Sequence, residues 1–139
     1  MDRKTLIRLG EKSPYFQHLN MAFEDSGKGW ARVRMDVRSH HMNVNGVVHG
    51  GAISSLADQT AMRALQTLLP EGRTASTAQM DLHFLAPARG KGLMGDGNVR
   101  KMGRKTAFVD AEIFDADGNS VAVARCTIMI SSSQKKGEV

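Results

Sequence analysis

The hydrophobic pattern of this chain has helical spacing over one long segment between alternating ones, and that segment limits the folds it can adopt. From residue 52 to about 69 the apolar side chains recur at helical spacing and cover an arc of roughly 180°. They are Ile53, Leu56, Ala57, Ala61, Ala64, Leu65 and Leu68. A helix with so wide an apolar face must be largely enclosed. A polar, glycine-containing loop at 39–51 precedes it, and the turn residues Pro70 and Gly72 end it.

Alternating segments lie on both sides of this helix. At 31–38, alanine, valine and methionine alternate with arginine and aspartate, which predicts a half-buried strand. Four more extended segments, separated by turn residues, are expected after the helix, at 74–86, 92–101, 105–116 and 119–130. Short turns favour an antiparallel meander of these four strands.

The two ends of the chain are expected to be peripheral. Residues 1–28 predict a short amphipathic helix, interrupted at Ser13-Pro14, and a loop, and the polar residues 131–139 predict a loose tail. A length of 139 residues, with 41% apolar and 24% charged residues, fits one soluble globular domain spanning 1–139. One long helix enclosed by one curved antiparallel sheet is the economical arrangement, an α+β fold.

Composition restricts the classes of function. The net charge of +5 favours an anionic partner, but no motif of a nucleic-acid-binding module is present. No segment approaches the roughly 20 apolar residues that span a membrane. The first residues lack the pattern of a signal peptide. The lone Cys126 suits a reducing compartment, where we expect it buried in a strand rather than acting as a nucleophile. We therefore expect a cytoplasmic protein that binds neither nucleic acid nor membrane.

The junction before the long helix is the most unusual stretch, because His49 is followed by Gly50 and Gly51. Unpaired N–H groups at a helix start point outwards, and bare glycine backbone lets a ligand come close. Such donors can bind a carbonyl oxygen that gains negative charge during a reaction. A tight turn into the helix explains the two glycines equally well.

Asp58 lies at the border of the helix's apolar arc, where partial desolvation would suit it to act as a base or nucleophile. The alternative is a solvated carboxylate, or one that is hydrogen-bonded by Ser54 or Ser55. Gly50 and Asp58 are eight residues apart, which is roughly 12 Å along a helix. Reacting atoms must approach to about 3 to 3.5 Å. If both residues serve one reaction, the acid must therefore come from a second copy of the chain.

Other possible sites are weaker. His40, His41 and His49 lack the cysteine or paired carboxylate that would complete a metal site, so no metal is expected. Ser54, Ser55 and Ser76 are not surrounded by the pattern of a nucleophile elbow. The basic turn at 100–105 fits a phosphate site and a solvated hairpin equally well.

The spacing Asn43-x-x-Gly46-x-x-His49-Gly50-Gly51, with Asp58 seven residues later, resembles the signature of hotdog-fold thioesterases of the phenylacetate-degradation type. The resemblance extends over about residues 14–130, including Thr77 to Ala88 and Val99 to Arg104. It implies a hotdog fold, in which an antiparallel sheet wraps around one long central helix. It also implies a homodimer with sites at its interface, often paired into a tetramer. The implied reaction is hydrolysis of an acyl-CoA thioester to a free acid and CoA, with no cofactor.

The resemblance also implies roles for individual residues. Asp58 would be the nucleophile or the base that activates water, and the Gly50 N–H would polarise the thioester carbonyl. His49 and Asn43 would orient the thioester or the water, and Thr77 would help to place the water. Substrate contacts are implied for Gly51 at the helix start, for Met62, Leu65 and Phe84 around the acyl group, and for Arg100, Arg104 and Lys105 at the CoA phosphates. Arg63, if turned towards the site, would alter the choice of acyl group.

Three alternatives to a thioesterase remain. A non-catalytic acyl-CoA-binding hotdog module would not need a half-buried carboxylate at Asp58. A hotdog hydratase or dehydratase needs a catalytic histidine in a different arrangement, and no matching segment is present. A nucleic-acid binder would rest on net charge alone. The sequence does not specify the acyl group.

Overall fold

The computed structural model describes residues 1–131, so the tail predicted at 131–139 lies almost entirely outside the described residues. The helices are α1 (Arg3–Lys12), α2 (Pro14–His18) and α3 (Gly50–Gln66), and a short 3-10 turn occupies Ser39–His41. The strands are β1 (Met21–Gly27), β2 (Trp30–Asp36), β3 (Ala75–Phe84), β4 (Gly92–Met102), β5 (Thr106–Asp115) and β6 (Ser120–Ile130). All six form one antiparallel sheet in the order β1-β2-β4-β5-β6-β3. The predicted α+β class is confirmed.

The long helix α3 packs against the inner face of this sheet, and their contact forms the hydrophobic core. Its apolar face is buried as its period predicts, with Leu56, Ala61 and Leu65 fully excluded from solvent. Two glycines of β4 make the close approach possible. A side chain at Gly95 would collide with the Thr60 hydroxyl, and one at Gly97 would lie 2.7 Å from the Thr60 carbonyl oxygen. The helix, and with it every residue on its rim, is therefore held in one position over the sheet.

The strand predicted at 31–38 and the four after the helix are all present, with ends within two residues of the predicted ones. The N-terminal region differs from its prediction. It contains two helices, with Pro14 opening the second, and the segment expected to be a loop contains β1. Only Met21 of β1 is buried, so the strand lacks the alternation that marks a half-buried segment. Pairing with β2, rather than burial, defines this edge strand.

The predicted four-strand meander is wrong in one respect. Strands β4, β5 and β6 do form a meander, but β3 pairs with β6 at the far edge of the sheet and not with β4. The connection after β3 is a crossing rather than a hairpin. Its backbone is bonded in turn to Val121, Val48 and Val37, which carries the chain back towards β2. Strand partners set by such distant contacts leave no mark in the local sequence pattern.

Within residues 1–131, none of the helices has the length and apolar character needed to cross a bilayer.

Candidate active site

His49 is the N-cap of α3, and it determines which backbone donors remain free there. Its Nδ1 accepts a hydrogen bond from the Gly51 N–H at 3.0 Å, and its carbonyl accepts from Ala52 and Ile53. The Gly50 N–H has no hydrogen-bond partner among the described residues. The helix start therefore presents one free donor, at the positive end of its dipole. The Gly51 N–H is engaged with the His49 ring, and the predicted contact of Gly51 with the substrate stays a prediction.

A buried histidine holds this cap in place. The His41 carbonyl accepts the His49 N–H at 2.7 Å, while His41 Nδ1 accepts the Arg38 N–H at 2.8 Å and Nε2 donates to the Leu19 carbonyl at 2.9 Å. Burial, and next the charge of His40, lowers the pKa of His41. With both ring nitrogens engaged, His41 has no free ligand atom. Residues 1–131 contain no group of three His, Cys, Asp or Glu side chains that could hold a metal ion.

Asn43 shapes the loop that leads to His49. Its side-chain Oδ1 accepts from the Asn45 N–H at 2.9 Å and from the Val47 N–H at 3.3 Å. Gly46 adopts a φ of 75°, a left-handed conformation that glycine tolerates readily. The structure thus gives Asn43 a role in positioning the loop, and its predicted contact with the thioester stays a prediction.

The acid Asp58 is half-buried in the middle of α3, on the side that faces β3. Its Oδ1 accepts a hydrogen bond from Thr77 Oγ1 at 2.7 Å, and Oδ2 has no partner in the described part of the chain. The alternative in which Ser54 or Ser55 satisfies the carboxylate is wrong, because those hydroxyls donate to the Gly50 and Gly51 carbonyls. The carboxylate is therefore oriented through one oxygen and open at the other.

Cys126 lies near this acid but is not a candidate nucleophile. The residue is fully buried in β6. Burial, and next the negative charge of Asp58, raises the pKa of its thiol to about 11. A thiol of this kind is almost entirely protonated at neutral pH, so the prediction of a buried structural cysteine is confirmed.

The ring of Phe84 lies directly over the start of α3. A side chain at position 50 would approach its Cζ to 3.2 Å, and Phe84 itself is 55% exposed. A groove of about 420 Å³ runs from Gly50 between this ring and the loop before α3. Val47, Ile53 and Leu85 form part of its wall. Gly50, the residue with the unpaired N–H, thus lines an apolar groove.

The other predicted acyl contacts differ in their exposure. Met62 is half-buried on α3, whereas Leu65 is fully buried in the core between helix and sheet. Leu65 therefore packs against the protein's own side chains, which corrects its prediction as a pocket residue. Arg63 points away from Asp58. Its Nη1 donates to Gln66 Oε1 at 2.8 Å and its guanidinium lies 5.0 Å above the Phe16 ring, where desolvation lowers its pKa.

The three predicted phosphate contacts do not lie in one place. Arg100 is on the outer face of the sheet, where its Nε is 3.4 Å from Asp110. Arg104 and Lys105 are exposed in the turn between β4 and β5, beside a groove of about 1,150 Å³ that is also lined by Arg73. The sequence motif did not include Arg73, which belongs to the segment between α3 and β3. Only Arg104 and Lys105 of the predicted set remain together.

The model of the Thioesterase superfamily matches residues 45–122, more than half of the chain and the whole stretch from the α3 cap to β6. The chain belongs to the thioesterase superfamily. It is a thioester hydrolase with the hotdog fold, of the PaaI-like type that the resemblance implied.

Individual relatives agree with this assignment. The acyl-coenzyme A thioesterase PaaI of Escherichia coli is 31% identical over 70% of this chain and 69% of its own. Its structure superposes with a TM-score of 0.84 at 25% identity, covering 91% of each chain. A thioesterase from Haemophilus influenzae gives a TM-score of 0.88 at 22% identity, over 99% of this chain and 96% of its own. A thioesterase protein from Streptococcus pneumoniae, solved with coenzyme A, gives 0.75 at 25% identity, over 84% and 89%.

Proposed function

We propose that this thioester hydrolase acts on acyl-CoA, with water activated by Asp58 and the thioester carbonyl held by the Gly50 N–H of a second subunit. The observation that carries the proposal is the pair of unsatisfied groups on one helix. Among residues 1–131, the Gly50 N–H at the start of α3 has no partner, and neither does one oxygen of the half-buried Asp58 carboxylate in its middle. Eight residues separate them, which is about 12 Å on a helix. One chain therefore does not complete the site.

The position of β3 at the edge of the sheet supports a site completed by two chains. Thr77 touches Asp58, and Phe84 lies over Gly50, so the two halves of the site are marked at opposite ends of one strand. A bulge between Thr77 and Gln79 shifts the register, so that Thr77 pairs with Ile128 and Phe84 with Ala122. Ile128 and Ala122 are both buried, which places Thr77 and Phe84 on the same, helix-facing side of the sheet.

The outer edge of β3 is the end of the sheet, and its ladder groups are available for another strand. Antiparallel pairing of β3 with β3 of the partner subunit, about a two-fold axis through Asp81, keeps the helix-facing residues of both strands on one side of the joined sheet. Because the bulge after Thr77 takes up one residue, this pairing sets Thr77 opposite Phe84 of the partner subunit. It thereby brings Asp58 of one subunit to Gly50 of the other. A two-fold axis repeats this contact, so the dimer has two equal sites. A pair of such dimers is the further assembly that we propose.

The chemistry follows from this arrangement. Thr77 holds one oxygen of Asp58, and the other oxygen takes a proton from water as the water oxygen attacks the thioester carbon. The carbonyl oxygen becomes negative and is stabilised by the Gly50 N–H and the α3 dipole. The intermediate collapses with cleavage of the C–S bond, and the departing CoA thiolate takes the proton from Asp58. Direct attack by the carboxylate, through an anhydride that water then hydrolyses, uses the same residues.

Recognition of CoA is supported by charge and by a relative. The chain has a net charge of +5, and Arg104, Lys105 and Arg73 surround one open groove. We propose that these three cations bind the phosphates of CoA, because hydrogen bonds from arginine and lysine to phosphate are strengthened by the opposite charges. The Streptococcus pneumoniae thioesterase protein was solved with coenzyme A. No cofactor is needed beyond the CoA of the substrate, and the buried thiol of Cys126 suits a cytoplasmic location.

The alternative is a module that binds acyl-CoA without cleaving it. The bond from Thr77 to Asp58 favours catalysis, because a binding site for an uncharged thioester has no use for an oriented, half-open carboxylate. The discriminating assay measures thiol release from aryl, short, medium and long acyl-CoAs by wild type and Asp58→Asn. We expect turnover by wild type and a fall in kcat of at least roughly a hundredfold in the variant. Equal turnover by the two proteins would reject Asp58 as the base, and no turnover by wild type would favour the binding module.

A further inference from the structure

The groove that begins at Gly50 is lined by apolar side chains and glycine, without a charged side chain from the described residues. Its volume of about 420 Å³ falls in the ordinary range for small-molecule sites, about 300–1,000 Å³. Within the described part of the chain, the residues that line it are all valine, isoleucine, phenylalanine, leucine, alanine, proline or glycine. Phe84 and Leu85, two large side chains on its rim, are 55% and 56% exposed. The protein as a whole is basic, yet no cation from residues 1–131 lines this groove.

Most of the nearby backbone donors are also used. The N–H groups of Leu85 and Ala86 donate to the Val121 carbonyl, and the Val48 N–H donates to the Ala88 carbonyl. At the α3 end of the groove, the Gly50 N–H has no partner among residues 1–131. A ligand in the groove therefore finds one polar anchor at its mouth and an apolar surface beyond it.

We infer that this groove holds the acyl group, and that it selects uncharged apolar acyl chains over chains that end in a carboxylate. The inference rests on the proposed function, which places the thioester carbonyl at Gly50. A thioester carbonyl has two substituents, the acyl chain and the sulfur of CoA. The CoA arm contains amides and a hydroxyl, which cost free energy when buried without partners. Of the two substituents, only the acyl chain is apolar and so matches the apolar walls of the groove.

Phe84 is the residue that sets this selectivity. Its ring covers Gly50 and forms one wall of the groove, so it would contact the first carbons beyond the carbonyl. A terminal carboxylate would lose its water against Phe84, Leu85 and Ile53 with no charged partner. Each added methylene of an apolar chain would instead bury more apolar surface, which raises kcat/KM about fourfold until the groove is filled.

The test compares butanoyl-, hexanoyl- and octanoyl-CoA with adipoyl-CoA, which matches hexanoyl-CoA in carbon number but ends in a carboxylate. Wild type should cleave hexanoyl-CoA with a kcat/KM at least about a hundredfold above that for adipoyl-CoA. Phe84→Ala should lower kcat/KM for hexanoyl-CoA about tenfold or more and flatten the dependence on chain length. Phe108→Ala, which truncates a phenylalanine that is 39% exposed on the outer face of the sheet, is the matched control and should leave both unchanged.

A charge placed in the groove gives a second, independent reading. Val47 is half-buried on the groove wall, and Val47→Lys should raise kcat/KM for adipoyl-CoA relative to hexanoyl-CoA at least about tenfold. Thermal unfolding of each variant checks that it is folded. Equal cleavage of hexanoyl- and adipoyl-CoA by wild type, with no effect of Phe84→Ala or Val47→Lys, would overturn the inference and leave the proposed function standing. If Phe84→Ala instead weakens the dimer in sedimentation without changing selectivity, the groove belongs to the interface and the inference is wrong. If wild type releases no thiol from any acyl-CoA, the proposed function fails first.

Discussion

Replacing Gly50 with proline removes the one backbone donor that the account places on the thioester carbonyl. Position 50 is the first residue of α3, where proline is well tolerated because the missing N–H has no helical partner. His49 has a ψ of 138°, in the extended region that a residue before proline prefers. The helix should therefore form normally. Loss of one such donor in other enzymes lowers kcat by about 100- to 1,000-fold, and we expect a fall of that order for Gly50→Pro.

The matched control is Gly50→Ala, which keeps the N–H and adds a carbon at the same point. Both variants place a Cβ 3.2 Å from Phe84 Cζ, so the exposed Phe84 ring must shift slightly in each of them. Any effect of this crowding is therefore common to the two variants. The difference in kcat between them isolates the donor. Thiol release at saturating acyl-CoA measures it, and circular dichroism checks that the two variants are equally helical. If the proline variant turns over as fast as the alanine variant, the Gly50 N–H does not stabilise the transition state and the proposed carbonyl site is wrong.

Three further predictions concern the acid, the cap and the cations. Thr77→Val removes the hydroxyl that orients the carboxylate at nearly constant volume, and we expect kcat to fall about tenfold with little change in KM in steady-state assays. The pKa of His41 is lowered from its ordinary 6.5, so its neutral form is favoured in the folded protein. Its contribution to stability is thus complete above pH 6.5 and declines as the pH falls below that value. The melting temperature should drop from pH 7 to pH 5, and a drop of the same size in His41→Gln would contradict this origin. The double variant of Arg104 and Lys105 to alanine should raise KM for acyl-CoA about tenfold at constant kcat, while Arg100→Ala, which loses only an exposed pair with Asp110, should change KM little.

The central helix could be predicted well because one local pattern determines both its existence and its burial. The wide apolar arc from Ile53 to Leu65 is compatible only with an enclosed helix, and α3 lies at the centre of the fold. The strands that alternate, such as β2 and β5, were predictable for the same reason. β1 was not, because its residues are half-buried on both faces and only pairing with β2 defines it.

Individual residues of the candidate site could be predicted from the sequence, but the contacts between them could not. The motif marked Gly50 and Asp58, and helix length alone separated them. The contact of Thr77 with Asp58 joins residues 19 positions apart on a helix and a strand, and the position of β3 at the sheet edge decides it. The same holds for Arg100, which lies on the outer face of β4, while Arg104 and Lys105 occupy the following turn.

Histidine roles were the least predictable part. His41 and His49 both lie in polar loop sequence. His41 is buried and hydrogen-bonded to the Leu19 carbonyl, whereas His49 is the exposed N-cap of α3. A single sequence gives no sign of which histidine is buried, because neither has an apolar period around it. Only the contacts of His41 with Leu19 and Arg38 reveal the difference.

The sharing of one site between two subunits is the central claim, and mixed dimers test it most directly. Asp58→Asn and Gly50→Pro should each be nearly inactive alone. A mixed dimer of the two variants has one site in which both groups are intact and one in which both are altered. Random mixing by joint refolding should therefore restore about a quarter of the wild-type sites. Thiol release that stays at the level of the separate variants, although native mass spectrometry shows mixed dimers, would contradict the shared site.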